Sequence, residues 1–234
     1  MSDKTLRRTP ANPSASTSLA EACQAGTAWA IGSTPAQIEF VSRLLCADRS
    51  HIRRLLNKGW DAASISRAGM AAMKAIFRAL HRCPVHLVAE SRLRERLPAL
   101  APAQFLGMAR GLSLALDPAE TLRRESVCPR SLVRAGLALD GVRAILHSSL
   151  FAHTSPLPLA YRNTEVHPLA SQLWDRWRAM APSLGPGQVH RLVDAFAETL
   201  GLRQTYDWAD PSRCEPIERW PGQGNATPSQ NSNN

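Results

Sequence analysis

The densest set of ligand-competent side chains is His81-Arg-Cys-Pro-Val-His86, two imidazoles and a thiol in a short run. Zinc takes such ligands in fours, usually as two close pairs. No second Cys/His pair stands at suitable spacing, and Pro84 is expected to break the helix that would have to align these three. The segment therefore reads as a helix end, where polar and cationic side chains meet the last carbonyls, and not as a metal site. Carboxylates are sparse. Glu90 and Glu95, Asp117 and Glu120, and Asp194 and Glu198 all sit near arginines at helical spacing, which points to ion pairs and caps rather than acid–base chemistry. The glycine loops that cradle phosphates are not found, and Gly185-Pro-Gly187, the nearest glycine pair, opens no strand–loop–helix unit. Neither a G-x-S-x-G elbow nor an H-E-x-x-H motif occurs. These observations assign no catalytic residue, no cofactor-binding residue and no metal ligand, and the chain is expected not to be an enzyme.

Two other features point to binding. In the stretch from Arg43 to Lys58, Arg49, Arg53 and Arg54 fall near one another on a helix whose opposite face holds Ile52, Leu55 and Leu56. Such a face suits DNA phosphates, and the helix–turn–helix rhythm loosely resembles flagellar master regulators of the FlhD kind, so a helical DNA-binding regulator is the alternative reading. A solvated amphipathic face explains the same pattern, and the positions that would read bases lack a clear Asn/Gln/Arg set. Trp208 and Trp220 lie in or beside a polar tail, where an aromatic ring serves either as a docking anchor for a protein partner or packs back onto its own domain. Trp174, Trp177 and Met180 form an apolar stripe of the kind that belongs to a core.

The elements that would position these residues are helical nearly throughout. Pro and Asp repeatedly stand where helices start, and β-branched alternation is almost absent. Ser33-Thr34-Pro35 opens a helix with Ile38, Val41, Leu44 and Leu45; a second carries Ile52, Leu55 and Leu56 and stops at Gly59. Asp61 caps a third holding Ile65, Met73, Ile76, Phe77 and Leu80, and Val85 to Leu97 is expected as a separate short helix after Pro84. Pro102 opens a helix with Phe105, Leu106, Met108, Leu112 and Leu116, and Asp117-Pro118 opens another with Leu122. Pro129 and Asp140 are each expected to start a helix, the second with Val142, Ile145, Leu146 and Leu150. His153 to His167 reads as the longest internal loop, dividing two subdomains, before helices at about 168–181 and 187–201. The expected fold class is all-α, a compact bundle of short helices with disordered N- and C-terminal tails. Its parts are residues 1–16 disordered, 17–97 an N-terminal helical region, 98–202 a helical domain, and 203–234 a polar, mostly disordered tail.

Composition is consistent with that fold. The 234 residues are 44% hydrophobic, enough to bury a core, and the five scattered cysteines build no disulfide framework. Neither a secretory signal nor a run long and apolar enough to span a bilayer is visible, so a cytoplasmic protein is expected, at a membrane only through partners. The net charge of +9 would ordinarily suggest nucleic acid. Yet Lys4, Lys58 and Lys74 are the only lysines among 28 basic residues, an arginine bias that partly reflects a GC-rich genome.

From about Pro102 to Leu202 the chain resembles the K-subunit family of type III secretion systems (YscK, OrgA and MxiK relatives), with an Hrp-type plant-pathogen variant as one form. The likeness is carried by Met108-Ala-Arg-Gly-Leu-Ser-Leu-Ala-Leu116 followed by Leu122-Arg-Arg124, by Leu139-Asp-Gly-Val-Arg-Ala-Ile-Leu146, and by Leu173-Trp-Asp-Arg-Trp-Arg-Ala-Met180 with the amphipathic helix from His190 to Leu200. The resemblance implies an all-α accessory adaptor of the cytoplasmic sorting platform, needed for effector secretion and hence virulence and the hypersensitive response. Such an adaptor bridges the inner-membrane ring protein and the spoke protein, with no reaction and no cofactor. It also implies that arginines such as Arg110, Arg124 and Arg143 meet acidic partner surfaces.

Overall fold

Residues 35–113, 127–152, 156–185 and 188–208 are described by a computed structural model. Among them are eight α-helices and no strand. Pro35 occupies the first position of α1 (Pro35–Ala47), where its missing N–H would have no partner anyway. The helix faces inward through Gln37 and Val41, while Ile38 stands half exposed. Of the expected stripe, Val41, Leu44 and Leu45 face the body and Ile38 does not, Gln37 taking the inward position. Asp48 caps α2 (Arg49–Asn57) by accepting from the His51 N–H. That helix ends as expected at Gly59, whose φ of +87° only glycine adopts without strain; Trp60 N–H then reaches the Leu55 carbonyl and closes the end.

Asp61 likewise caps α3 (Ala62–Arg96), its carboxylate accepting from the Ser64 N–H at 2.7 Å. Here the structure corrects the sequence reading. Pro84 does not break the chain but lies inside one continuous helix of 35 residues. An internal proline costs about 3 kcal/mol through one lost hydrogen bond and a clash with the preceding turn. Burial on both sides offsets that: Met73, Ile76, Phe77, Leu80 and Cys83 before it, and Leu87 after it, are all within the core. Each large buried side chain is worth about 1.5–3 kcal/mol, so the packed stripe outweighs the defect.

A short 3-10 turn, Pro98–Leu100, leads into α4 (Ala101–Ser113). Gln104 anchors α4 to α3 by donating to the Glu90 carbonyl and to its carboxylate. The next described helix, α5 (Arg130–Leu150), also corrects an expectation, because Asp140 does not cap a new helix but sits midway along one of 21 residues. Its carboxylate accepts from the Arg143 guanidinium one turn on, so the acid is tolerated inside the helix. Helix α5 is buried nearly all round, as befits a central element.

The segment expected as an irregular loop contains a helical turn, α6 (Leu159–Arg162), whose Tyr161 covers α5. Then come α7 (His167–Met180) and α8 (Val189–Thr199), with a second glycine-terminated end at Gly201. Helices α3 and α5 pack on one another, α7 on α5, and α8 across both α3 and α7. One core runs through all of them, joining Met73, Phe77 and Leu80 of α3 to Leu139 and Val142 of α5 and to Leu192 and Phe196 of α8. Two smaller faces complete the body: α1 lies along α3, and the segment after α8 tucks against α1. The expected tail at 1–16, the expected tail 203–234 beyond Trp208, the Asp117–Pro118 helix, Arg124 and Trp220 lie outside the described residues, whereas residues 203–208 of that tail are ordered and begin with a 3-10 turn.

The α5–α7 crossing depends on small residues. A Cβ placed on Gly141 would lie 2.8 Å from the Ala170 Cβ and 3.4 Å from the Tyr161 ring, and an alanine methyl cannot swing aside. Gly107 on α4 meets nothing within 4 Å. Gly141→Ala is therefore expected to destabilise the fold by about 1–3 kcal/mol through overpacking. Gly107→Ala should raise stability by about 0.5–1 kcal/mol, the helix-propensity gain alone. Urea unfolding of both variants checks the pair, and a Gly141→Ala protein as stable as the parent would refute the close crossing.

Candidate protein-interaction face

The side chains that could carry chemistry are dispersed by the helices that hold them. At 100° per residue, His81, Cys83 and His86 of α3 point in three directions. His81 meets the C-terminal segment, its ring edge-on to Tyr206 and Trp208. Cys83 enters the core, its thiol donating to the Leu139 carbonyl, and burial pushes its pKa far up, away from thiolate reactivity. His86 lies toward Arg143 and Glu90, its pKa lowered by burial first and then by the Arg143 charge. Continuity of α3 does not gather them, and no group of metal-competent side chains is found among the described residues.

The most connected polar cluster centres on Asp194 of α8. Its carboxylate accepts from the Tyr206 hydroxyl at 2.7 Å and from the Trp208 indole N–H at 3.0 Å, and the Arg203 guanidinium lies 3.3 Å away. Arg203 also stacks over the Tyr206 ring. The cluster clasps residues 203–208 onto α3 and α8. Trp208 thus packs back onto the body, one of the two readings its sequence position left open. Burial and the Asp194 charge together push the Tyr206 pKa up, which keeps the hydroxyl a donor.

Arg143, another residue singled out from the sequence, is half-buried on α5, pairs with Asp140 at 3.3 Å and reaches toward Gly111 of α4. Its hydrogen bond is internal to α5, and its guanidinium lies beside Gly111 of α4. Burial raises the Asp140 pKa, and Arg143 opposes the rise. Alongside, His147 of α5, fully buried, donates from Nε2 to the Phe105 carbonyl of α4 at 3.2 Å and stacks between Phe105 and Phe151.

Held in place by these anchors, α4 turns a distinct face outward. Phe105, Met108 and Leu112, spaced for one helical stripe, face the body. Leu106 sits one residue off that stripe and is 66% exposed. Leu97 and Leu100, in the turn that leads into α4, are about half exposed as well. Ala103, Gly107 and Gly111 lie beside Leu106 and add no bulk. The rim is cationic: Arg96 and Arg110 are exposed, Arg94 covers the Phe151 ring, and Glu95 is the single carboxylate from Arg92 to Ser113. Three exposed leucines on one short stretch exceed the scattered apolar exposure of an ordinary surface. Of the arginines taken from the sequence, Arg110 alone among the described ones belongs to this open face. The sequence reading names Leu106 as one apolar residue of this helix without assigning it a face; its offset from the 105–108–112 stripe is legible in the spacing.

No protein-family model, no curated protein and no solved structure matches this chain.

Burial of His81 against the C-terminal segment predicts an acid sensitivity. Burial lowers the His81 pKa below its ordinary 6.5, only partly opposed by Asp194, so the unfolded chain takes up the proton more readily than the fold. His81 therefore contributes its full share above its ordinary pKa of 6.5, and that share is lost as pH falls below 6.5 through the lowered pKa of the folded state. His86 adds to the loss in the same direction. His81→Phe keeps the ring contacts and removes the titration, so its unfolding temperature should drop less than the parent's between about pH 7.5 and 5.5. Equal drops would show that His81 is not the sensitive group.

Proposed function

We propose that this protein is a non-enzymatic accessory adaptor of a type III secretion apparatus, working on the cytoplasmic side of the inner membrane. The observation that carries the reading is the exposed leucine face of α4 with its arginine rim. An apolar centre edged by cations suits a partner helix or sheet edge with an acidic border, since the leucines supply the area and the arginines set the register. Leu106 and Arg110 of this face lie in the segment where the chain resembles the K-subunit family, and the described parts of the matching stretches fall on α4, α5, α7 and α8. A bridging adaptor needs rigid, separately placed surfaces rather than a reactive cleft, and one continuous core provides such a scaffold. The partners in this reading are the cytoplasmic domain of the inner-membrane ring protein and the spoke protein of the sorting platform. Arg110 is the cation assigned to the contact; Arg143 lies beside Gly111 of α4.

Deletion of the gene is expected to abolish effector export while membrane rings still assemble. Leu106→Glu should reproduce the export defect and lose co-purification of the partner. Its own stability should change by less than about 0.5 kcal/mol, because the side chain is already in water. Normal export from the deletion strain would overturn the adaptor reading, and normal partner capture by Leu106→Glu would remove α4 as the contact.

A further inference from the structure

Helix α2 and the turn after it form a second surface, built differently from the first. From Arg43 to Arg67 there are six cationic side chains and two carboxylates. Both carboxylates are engaged in helix caps, Asp48 with His51 and Ser50, and Asp61 with Ser64. Leu55 pins α2 to the body and is fully buried. Arg49, Arg53 and Leu56 then follow at i, i+4 and i+7 along the outward face. Leu56 is 46% exposed, and Trp60, carried past the end of α2 by the Gly59 turn, is 43% exposed.

We propose that this surface binds an anionic lipid bilayer, with the arginines on the headgroup phosphates and Leu56 and Trp60 in the headgroup–acyl boundary. A short amphipathic helix with arginines on its polar face and large apolar side chains at its edge lies in the plane of an anionic interface. Indole rings concentrate at that depth because one edge is polar and the body is apolar. Charge complementarity selects anionic over neutral lipid, and the exposed apolar pair selects a bilayer over a nucleic acid. Phosphates of a duplex satisfy the arginines but offer nothing to Leu56 or Trp60. No helix of the described residues is long and apolar enough to cross a membrane, so the contact is one of surface adhesion. It does not depend on the adaptor reading, and would hold for a protein with any other partner.

The test is co-sedimentation of the full chain with vesicles of phosphatidylcholine alone and with about one-third phosphatidylglycerol. Binding is expected only to the anionic vesicles, at least about tenfold tighter than to the neutral ones, and should weaken as salt rises. Arg53→Glu with Arg54→Glu should abolish it, and Trp60→Ala should weaken it about threefold or more at unchanged unfolding temperature. Arg176→Glu with Arg178→Glu, a charge change of equal size on α7, should leave it intact. Three results overturn the proposal: no binding to anionic vesicles at low salt, an equal loss from the α7 variant, or indifference to Trp60→Ala. Tight binding of a short DNA duplex that is lost with the α2 arginines but not with Trp60 would assign the surface to nucleic acid instead.

Discussion

The packing of α3 against α5 is the constraint on which the rest of the molecule depends. Each is long, and each presents large side chains to the other along much of its length: Met73, Phe77, Leu80 and Leu87 from α3, Leu132, Leu139, Val142 and Leu146 from α5. That shared stripe accounts for two features that look unfavourable locally. A proline sits in the middle of α3, and an aspartate in the middle of α5. The proline alone would break an isolated helix, at a cost of about 3 kcal/mol against a marginal helical stability in water, and an aspartate favours a cap over a helix interior. Both are carried through because the flanking turns on either side are already committed to the core.

Polar groups within this body attach peripheral elements. Asp194 fixes the segment after α8, His147 fixes α4, and Gln104 fixes α4 again from α3. Each uses a directional bond between parts of the chain at least 12 residues apart. Two arginines bridge from α5 to the turn before α7, where Glu165 accepts from Arg130 at 2.6 Å and lies 3.6 Å from Arg134. That pair is largely exposed and contributes little energy; its effect is to orient the turn.

A scaffold fixed from within leaves its surfaces free to differ. The α4 face is apolar at its centre and cationic at its edge, and it grounds the proposed adaptor role. The α2 face reverses that order, mainly cationic with two apolar side chains at its margin, and it grounds the proposed bilayer contact. Because α1, α3 and α4 share one core and α2 lies against α1 and α3, the relative placement of the two faces is set by the fold. A protein that must hold a partner at a fixed distance from a membrane surface needs that property.

Much of this was legible in the residues. Helical periodicity, the caps at Asp48 and Asp61 and the glycine stop at Gly59 act within one turn of chain, so local chemistry determined them. Dispersal of His81, Cys83 and His86 also follows from helical spacing, whether or not Pro84 ends the helix. What local chemistry could not decide was continuity: Pro84 carries a helix-stop signal and Asp140 a helix-start signal, and only burial against distant residues overrides them. The same holds for the surfaces. Leu106 and Phe105 are both apolar neighbours on α4, and His147, far along the chain, determines which of them faces the body. Trp208 followed that rule too, since a tail tryptophan stays out or turns back according to whether an acceptor such as Asp194 awaits it. Periodicity sets which side chains share a face, while the direction that face points is a property of long-range packing.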